Sequence, residues 1–212
     1  MKISFLFYPH MTALDAIGPH EILSRLPDAQ TFRVAQQAGQ IHTDSGLILT
    51  ADHSLSEISQ ADVLLIPGAG NATSLKQYPE ILDWVRQIHK TSTWTTSVCT
   101  GSLILGAAGV LTGLKATTHW AVHDRLSRWG AIPIKSRVVE DGKVITAAGV
   151  SAGIDMALML AAEIAGREVA ERIQLGIEYD PEPPFDVGSP EKANPSTVKT
   201  LQEWLLTIFE KD

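Results

Sequence analysis

The feature that most constrains this chain is the segment Asp62–Ile66, which after its leading aspartate is a continuous apolar run and stops abruptly at Pro67-Gly68-Ala69-Gly70-Asn71. A short run with no polar alternation suits a central strand buried on both faces, and such strands belong to parallel sheets covered by helices. The rest of the sequence repeats the theme. Lys2–Tyr8 reads as a first strand, followed by Leu14, Ile17, Ile22, Leu23 and Leu26 at helical spacing, with Pro19 tolerable only in a first turn. Phe32–Gln36 reads as the next strand, and Ile41 and Leu47–Thr50 flank a turn at Asp44-Ser45-Gly46 as a hairpin. Ile81, Leu82, Val85 and Ile88 mark a helix, and Thr93–Val98 is a β-branched strand leading to a helix marked by Leu103, Ile104, Ala107 and Ala108. Val122, Leu126 and Trp129 suggest a short helix. Ile132–Val139 and Lys143–Thr146 flank Asp141-Gly142 as an edge hairpin, and Ile154–Ile164 is an Ala-rich helix. Alternation of this kind predicts an α/β fold with a mostly parallel central sheet.

Past Tyr179 the chain turns proline-rich, with Pro181, Pro183, Pro184 and Pro190, so an extended arm from about residue 180 is expected before a last helix from about Ser196. No repeat or linker interrupts the pattern, and the 212 residues are expected to form a single domain spanning 1–212. The net charge of −7 disfavours a nucleic-acid partner, since phosphate neutralisation needs clustered Lys and Arg. The longest apolar stretch, Ala147 to Ala165, contains Asp155 and Glu163 and reads as a core helix, so no membrane association is expected. Met1–Pro9 has a short apolar run without a small-residue cleavage site, which argues against a signal peptide. One cysteine forms no internal disulfide or multi-cysteine zinc site, and the seven histidines, His20 and His123 among them, show no HExxH spacing. No metal is expected, and cytoplasm is the default location.

That cysteine, Cys99, falls where ligands bind in doubly wound sheets, beyond the carboxyl end of a strand. In Thr95-Thr96-Ser97-Val98-Cys99-Thr100-Gly101-Ser102 it sits between strand and helix, and Gly101 permits the close packing of a sharp turn resembling a nucleophile elbow. The positive end of the helix dipole is expected to lower its pKa and favour a thiolate. The bland reading is a buried small hydrophobe. Backbone N–H groups at Thr100 and in Gly68-Ala69-Gly70 are candidate donors for developing negative charge, although those glycines equally suit a plain tight turn, and the loop lacks the spacing of a phosphate-binding loop. Asp15, just past the first strand, is the best-placed acid–base candidate, with an N-cap as its alternative role. His119 in Thr117-Thr118-His119-Trp120 is a second, with an ordinary surface or core histidine as its alternative. Gly149-Val150-Ser151-Ala152-Gly153 spells GxSxG, but no clear strand leads into it. A Ser151, Asp155, His119 triad is therefore weak, and the segment reads better as a helix start approaching the site.

Leu14-Asp15-Ala16-Ile17-Gly18-Pro19-His20-Glu21, Ile66-Pro67-Gly68, Thr96–Leu103 around Cys99, Ala116–Trp120, Ala152-Gly153-Ile154-Asp155 and Glu178–Phe185 together resemble the ThiJ/PfpI superfamily, which shares its fold with class I glutamine amidotransferase-like proteins. The resemblance implies a flavodoxin-like three-layer sandwich. Within the superfamily the chain is most similar to the isocyanide hydratase branch, which implies hydration of an isocyanide to an N-substituted formamide with no cofactor. It implies Cys99 as nucleophile forming a thioimidate, Asp15 as proton carrier, and Thr100 as hydroxyl or amide donor. It also implies Gly68, Ala69, Gly70, His119, Val150 and Ser151 around the oxyanion or substrate, and a homodimer with the site near its interface. Related transcription regulators share the Cys-Thr-Gly and Thr-Thr-His-Trp pieces but carry an additional DNA-binding domain, which is not expected here. Protease-like members place histidine after the cysteine, where this chain has Thr100. Many members carry glutamate at the position of Asp15, and Ser97 stands where glycine is common. Glyoxalase or deglycase chemistry, and a non-enzymatic redox-responsive protein with an oxidisable Cys99, are the alternatives.

Overall fold

The computed structural model describes residues 1–70 and 78–209; Asn71, the last residue of the predicted loop, lies outside them. Among the described residues, eleven strands and six α-helices follow one another: β1 (Lys2–Leu6), α1 (Ala13–Leu23), β2 (Gln30–Ala35), β3 (Gly39–His42), β4 (Ile48–Ala51), β5 (His53–Ser54), β6 (Val63–Ile66), α2 (Pro79–Thr91), β7 (Trp94–Val98), α3 (Gly101–Ala107), β8 (Lys115–Ala116), β9 (Ile132–Pro133), β10 (Val138–Asp141), β11 (Val144–Ala147), α4 (Ala152–Ala165), α5 (Arg167–Gly176) and α6 (Pro195–Phe209).

Seven strands form one sheet in the order β10-β11-β7-β6-β1-β2-β5. All its pairings are parallel except β10 with β11, the antiparallel edge predicted around Asp141-Gly142. From β1 the chain steps outward to β2, whereas from β6 it steps the opposite way to β7 and β11. Right-handed crossovers then place successive helices on opposite faces. In accord with this, α1 packs on α4 and α2 packs on α3. The result is a three-layer, flavodoxin-like sandwich, and strand order reverses between β1 and β6. The carboxyl ends of those strands form the crevice where such sheets bind ligands.

Every residue of β6 is buried, as the apolar run requires. The hairpin around Asp44-Ser45-Gly46 forms as β3 and β4, outside the main sheet. Three expectations need correction. Pro19 lies in the middle of α1, not its first turn. The lost N–H would have bonded the Asp15 carbonyl, and the ring instead packs towards Gly153 of α4. Ile132–Val139 is not one strand, because Ile132 and Pro133 leave the sheet to pair with β8 and only Val138–Asp141 joins β11. Helix α5, whose apolar face buries Ala170 and Ile173, had no counterpart in the sequence reading.

The α1–α4 contact needs a residue without a side chain. A Cβ at Gly153 would lie 2.9 Å from Val98 Cγ2 and 3.1 Å from Pro19 Cγ. Both neighbours are short and stiff, so the added methyl would part α4 from the sheet. Gly153→Ala is expected to lose about 1–3 kcal/mol, read as a lower urea midpoint at unchanged m-value. A midpoint equal to that of the unsubstituted protein would show that the two helices separate freely.

Candidate functional site

Asp15, Cys99 and the Gly68-Ala69-Gly70 loop arrive at the crevice from three neighbouring strand ends. Cys99 directly follows β7, and its amide donates to the carbonyls of Ala147 (3.1 Å) and Ala148 (2.8 Å), extending the β7–β11 ladder by one residue. The backbone then turns sharply into α3 with φ of 56° at Cys99, a left-handed conformation that costs a non-glycine residue about 1–3 kcal/mol. The turn is held from outside. The Cys99 carbonyl accepts from the hydroxyls of Thr118 (2.9 Å) and Ser102 (3.2 Å), and Gly101 lets α3 start against the strand, since a Cβ there would fall 2.3 Å from the Ile66 carbonyl oxygen. Ser97, where glycine is common in the resembling family, is fully buried in β7 and leaves the turn intact.

Asp15 belongs to the first turn of α1, whose N-cap is Thr12, so it is not the cap. Its side chain is 0% exposed. The Gly68 amide donates to Oδ2 at 2.8 Å, while Oδ1 has no nitrogen or oxygen partner. The Cys99 thiol stands beside this carboxylate and interacts with it as a donor that favours its charged form. Burial is the main cause that raises the Asp15 pKa to about 7, opposed by the Gly68 amide and aided by the negative charge of Asp44, with the thiol hydrogen bond opposing again. Asp44 is fixed near the crevice by the Thr12 hydroxyl at 2.6 Å.

Burial also pushes the Cys99 thiol well above its ordinary value, and the Asp15 charge adds to this; hydrogen bonds from the Thr100 amide and hydroxyl and from the Val150 amide pull the other way. The expectation that the helix dipole lowers the Cys99 pKa and favours a thiolate is therefore corrected. In a site 6% exposed, desolvation outweighs the amide donors. Ionising both acids would set two negative charges side by side, so with Asp15 ionised the thiol keeps its proton and the pair holds one.

Thr100 is completely buried and makes two bonds to one residue: its hydroxyl accepts from the Ala69 amide (2.8 Å) and donates to the Ala69 carbonyl (2.7 Å). Gly68 and Ala69 thus spend their amides on Asp15 and Thr100, organising the site instead of standing open to a substrate oxyanion. Of the residues anticipated nearby, Val150 does reach Cys99, through its amide. His119 packs beneath the turn that presents that amide, 3.3 Å from where a Gly149 Cβ would be. Burial lowers its pKa to about 4, so it is neutral at pH 7, and the Ala121 amide donating to Nδ1 places its proton on Nε2. Ser151 is exposed, and its hydroxyl accepts from Arg137 (3.4 Å), whose guanidinium also pairs with Asp155. Asp155 further accepts from the Tyr179 hydroxyl (2.8 Å), so Ser151, Asp155 and His119 do not form a triad. Sequence reasoning missed Tyr8 and Thr118. Tyr8 is buried with its hydroxyl donating to the Pro67 carbonyl (2.8 Å), and the charges of Asp15, Cys99 and Asp44 add to its burial in keeping it a neutral phenol. Among the described residues no group of His, Cys, Asp and Glu could hold a metal ion, and no helix is long and apolar enough to cross a membrane.

A raised carboxyl pKa has a definite sign for stability. The native state holds the Asp15 proton more tightly than the unfolded chain, so Asp15 costs nothing below about pH 4, and its cost grows through about pH 7 and is then complete. Asp15→Asn keeps the acceptor for Gly68 without the charge. It is expected to match the unsubstituted protein near pH 3.5 and exceed its stability by up to about 4 kcal/mol at pH 8, measured by urea unfolding at both values. A gap independent of pH would show that Asp15 is not held protonated.

The chain is similar to known proteins. The chain is 44% identical over 198 residues to a protein named isonitrile hydratase from Pseudomonas putida, covering 93% of this chain and 86% of that one. It is 27% identical to the HTH-type transcriptional regulator CdhR from Pseudomonas aeruginosa, over 80% of this chain and 52% of the regulator. A crystal structure of a ThiJ/PfpI family protein from Pseudomonas syringae superposes with a TM-score of 0.96 at 38% identity, over 99% of this chain and 88% of that one. The DJ-1/PfpI family pattern matches residues 1–163, which contain Asp15, Gly68, Cys99, Thr100 and Val150. The chain belongs to the DJ-1/PfpI family.

Proposed function

We propose that this protein is a cofactor-independent isocyanide hydratase, converting an isocyanide (isonitrile) and water to an N-substituted formamide. The observation that carries the reading is a fully buried Asp15 carboxyl beside the buried Cys99 thiol, with Thr100 following the cysteine where a histidine would make a protease-like pair. The 44% identity to a protein named isonitrile hydratase supports the same reading.

An isocyanide carbon must gain both a nucleophile and a proton. The shared proton supplies this: as Cys99 Sγ bonds to the terminal carbon, the proton held between Asp15 and sulfur passes to that same carbon, giving the thioimidate R–N=CH–S–Cys99. Negative charge on sulfur before attack is eased by the Thr100 and Val150 amides and by the Thr100 hydroxyl, which can turn from the Ala69 carbonyl towards the sulfur. Asp15, now ionised, takes a proton from water as its oxygen adds to the thioimidate carbon, and passes that proton to nitrogen, leaving the proton of the new hydroxyl to return to the Asp15–sulfur pair. Collapse then expels the sulfur, releases R–NH–CHO and restores the one-proton pair. A carboxyl with a pKa of about 7 suits both halves, since it neither keeps nor loses its proton at neutral pH. No step requires a metal or organic cofactor.

We propose further that the chain works as a single-domain, cytoplasmic homodimer with no nucleic-acid or membrane partner. Leu14 and Ile17, on the helix that carries Asp15, are 44% and 38% exposed, an apolar surface beside the crevice that suits a second copy.

The decisive assay follows formamide formation from a simple alkyl isocyanide. Cys99→Ala is expected to abolish turnover and Asp15→Asn to lower kcat about 10²–10⁴-fold. Thr100→Val, which keeps the volume and removes the hydroxyl, is expected to cost roughly 10²-fold. Full activity in Cys99→Ala, or turnover of methylglyoxal in place of isocyanide, would overturn the reading.

A further inference from the structure

Helix α6 lies wholly outside residues 1–163, the part matched by the family pattern, yet it reaches the crevice loop. Its Ile208 approaches Gly70 so closely that a Cβ on Gly70 would sit 2.5 Å from Ile208 Cγ2 and 3.9 Å from Ile208 Cβ. The Gly70 backbone is not in the left-handed region, so close approach, not backbone freedom, is what requires glycine there. Gly70 directly follows Ala69, which holds Thr100 through both its amide and its carbonyl. Elsewhere α6 packs against the 3-10 segment Trp120–Trp129, which begins next to His119 and two residues after Thr118, whose hydroxyl holds the Cys99 carbonyl. Leu205 and Leu206, half-buried, attach the helix to the core. Helix α6 therefore bridges the two loops that flank Cys99, with a branched apolar side chain against the loop on the Thr100 side.

We propose that Ile208 is a specificity-determining residue: it forms an apolar wall over the Gly68-Ala69-Gly70 loop and limits the bulk of the substituent on the substrate that reaches Cys99. This rests on the isocyanide reading for the identity of the substrate, but not for the wall itself. A β-branched side chain gives a stiff boundary, since its χ1 is nearly fixed in a helix. Changes of one or two methylenes at such a boundary alter selectivity by roughly 10–200-fold. Isocyanides differ only in their substituent, because the reacting carbon is the same in all of them, so an apolar wall is the natural place for selection.

The test compares kcat/KM for ethyl and cyclohexyl isocyanide in the unsubstituted protein, Ile208→Ala and Ile208→Trp. The cyclohexyl-to-ethyl ratio is expected to rise about tenfold or more in Ile208→Ala and to fall by a similar factor in Ile208→Trp, with kcat for the ethyl compound little changed. A ratio that stays within twofold in both variants overturns the proposal. Gly70→Ala, which pushes α6 outward, is expected to raise the ratio as Ile208→Ala does. The rate of Cys99 alkylation by iodoacetamide and by N-benzyliodoacetamide reads the same wall without turnover. If the protein hydrates no isocyanide, the functional reading fails, and the wall stands or falls on whether Ile208→Ala speeds the bulky reagent alone.

Discussion

The hydrogen bond from the Gly68 amide to Asp15 Oδ2 is the contact on which the site depends. It ties the first turn of α1 to the loop after β6, across the point where strand order reverses, and fixes the orientation of the carboxylate beside Cys99. Without it a carboxyl at 0% exposure would have no fixed orientation and little reason to keep a charge. With it, the ionised and neutral forms are balanced near neutrality, because one charge-assisted bond offsets part of the desolvation and no more. The same loop binds Thr100 through Ala69, so a single short segment sets the positions of both groups that act on the thiol.

Cys99 concentrates the costs that such a site entails. Its backbone is held in the left-handed region, its thiol is desolvated, and a like-charged group stands beside it. Each is unfavourable alone, and the fold offsets them with bonds drawn from distant parts of the chain: Ala147 and Ala148 on the amide, Thr118 on the carbonyl, Val150 on the sulfur. Strain of this kind persists only when surrounding structure over-determines it. The segment around His119 belongs to this support, a neutral imidazole packed under the turn that aims the Val150 amide.

Most of the architecture was legible because the β6 run and the helical spacings of α2 and α4 are strong local signals, and the Asp44-Ser45-Gly46 and Asp141-Gly142 turns announce their hairpins. Cys99 and Asp15 were legible for a related reason, since strand ends in a parallel sheet converge on one edge. What resisted reading was tertiary. Pro19 in mid-helix is tolerated in a contact with Gly153 that lies over a hundred residues away in sequence. The direction of the Cys99 pKa turned on the completeness of burial, which no local pattern reveals. Gly68 and Ala69 looked like open amide donors until the structure paired each with a side chain from another strand end. Tyr8 and Thr118 are ordinary residue types, and only their hydrogen bonds to Pro67 and Cys99 mark them.

The two halves of the molecule divide the work by chemistry. Among the described residues, the groups that meet the charge at Cys99 lie within the first 163, the span matched by the family pattern: strand ends, the Gly68 loop, Thr100 and the Val150 turn. These groups act on sulfur and carry no information about the substituent of whatever the sulfur attacks. In the proposed reading, selection comes from the surface added around them. The proline-rich arm, anchored where Tyr179 bonds Asp155, leads the chain to α6 and so to Gly70. Such an addition can change without disturbing the one-proton pair, because it touches the Gly68 loop at Gly70, one residue beyond the bonds that hold Asp15 and Thr100. A reactive centre of fixed geometry with a replaceable apolar boundary can therefore serve substrates of different bulk while its proton chemistry remains the same.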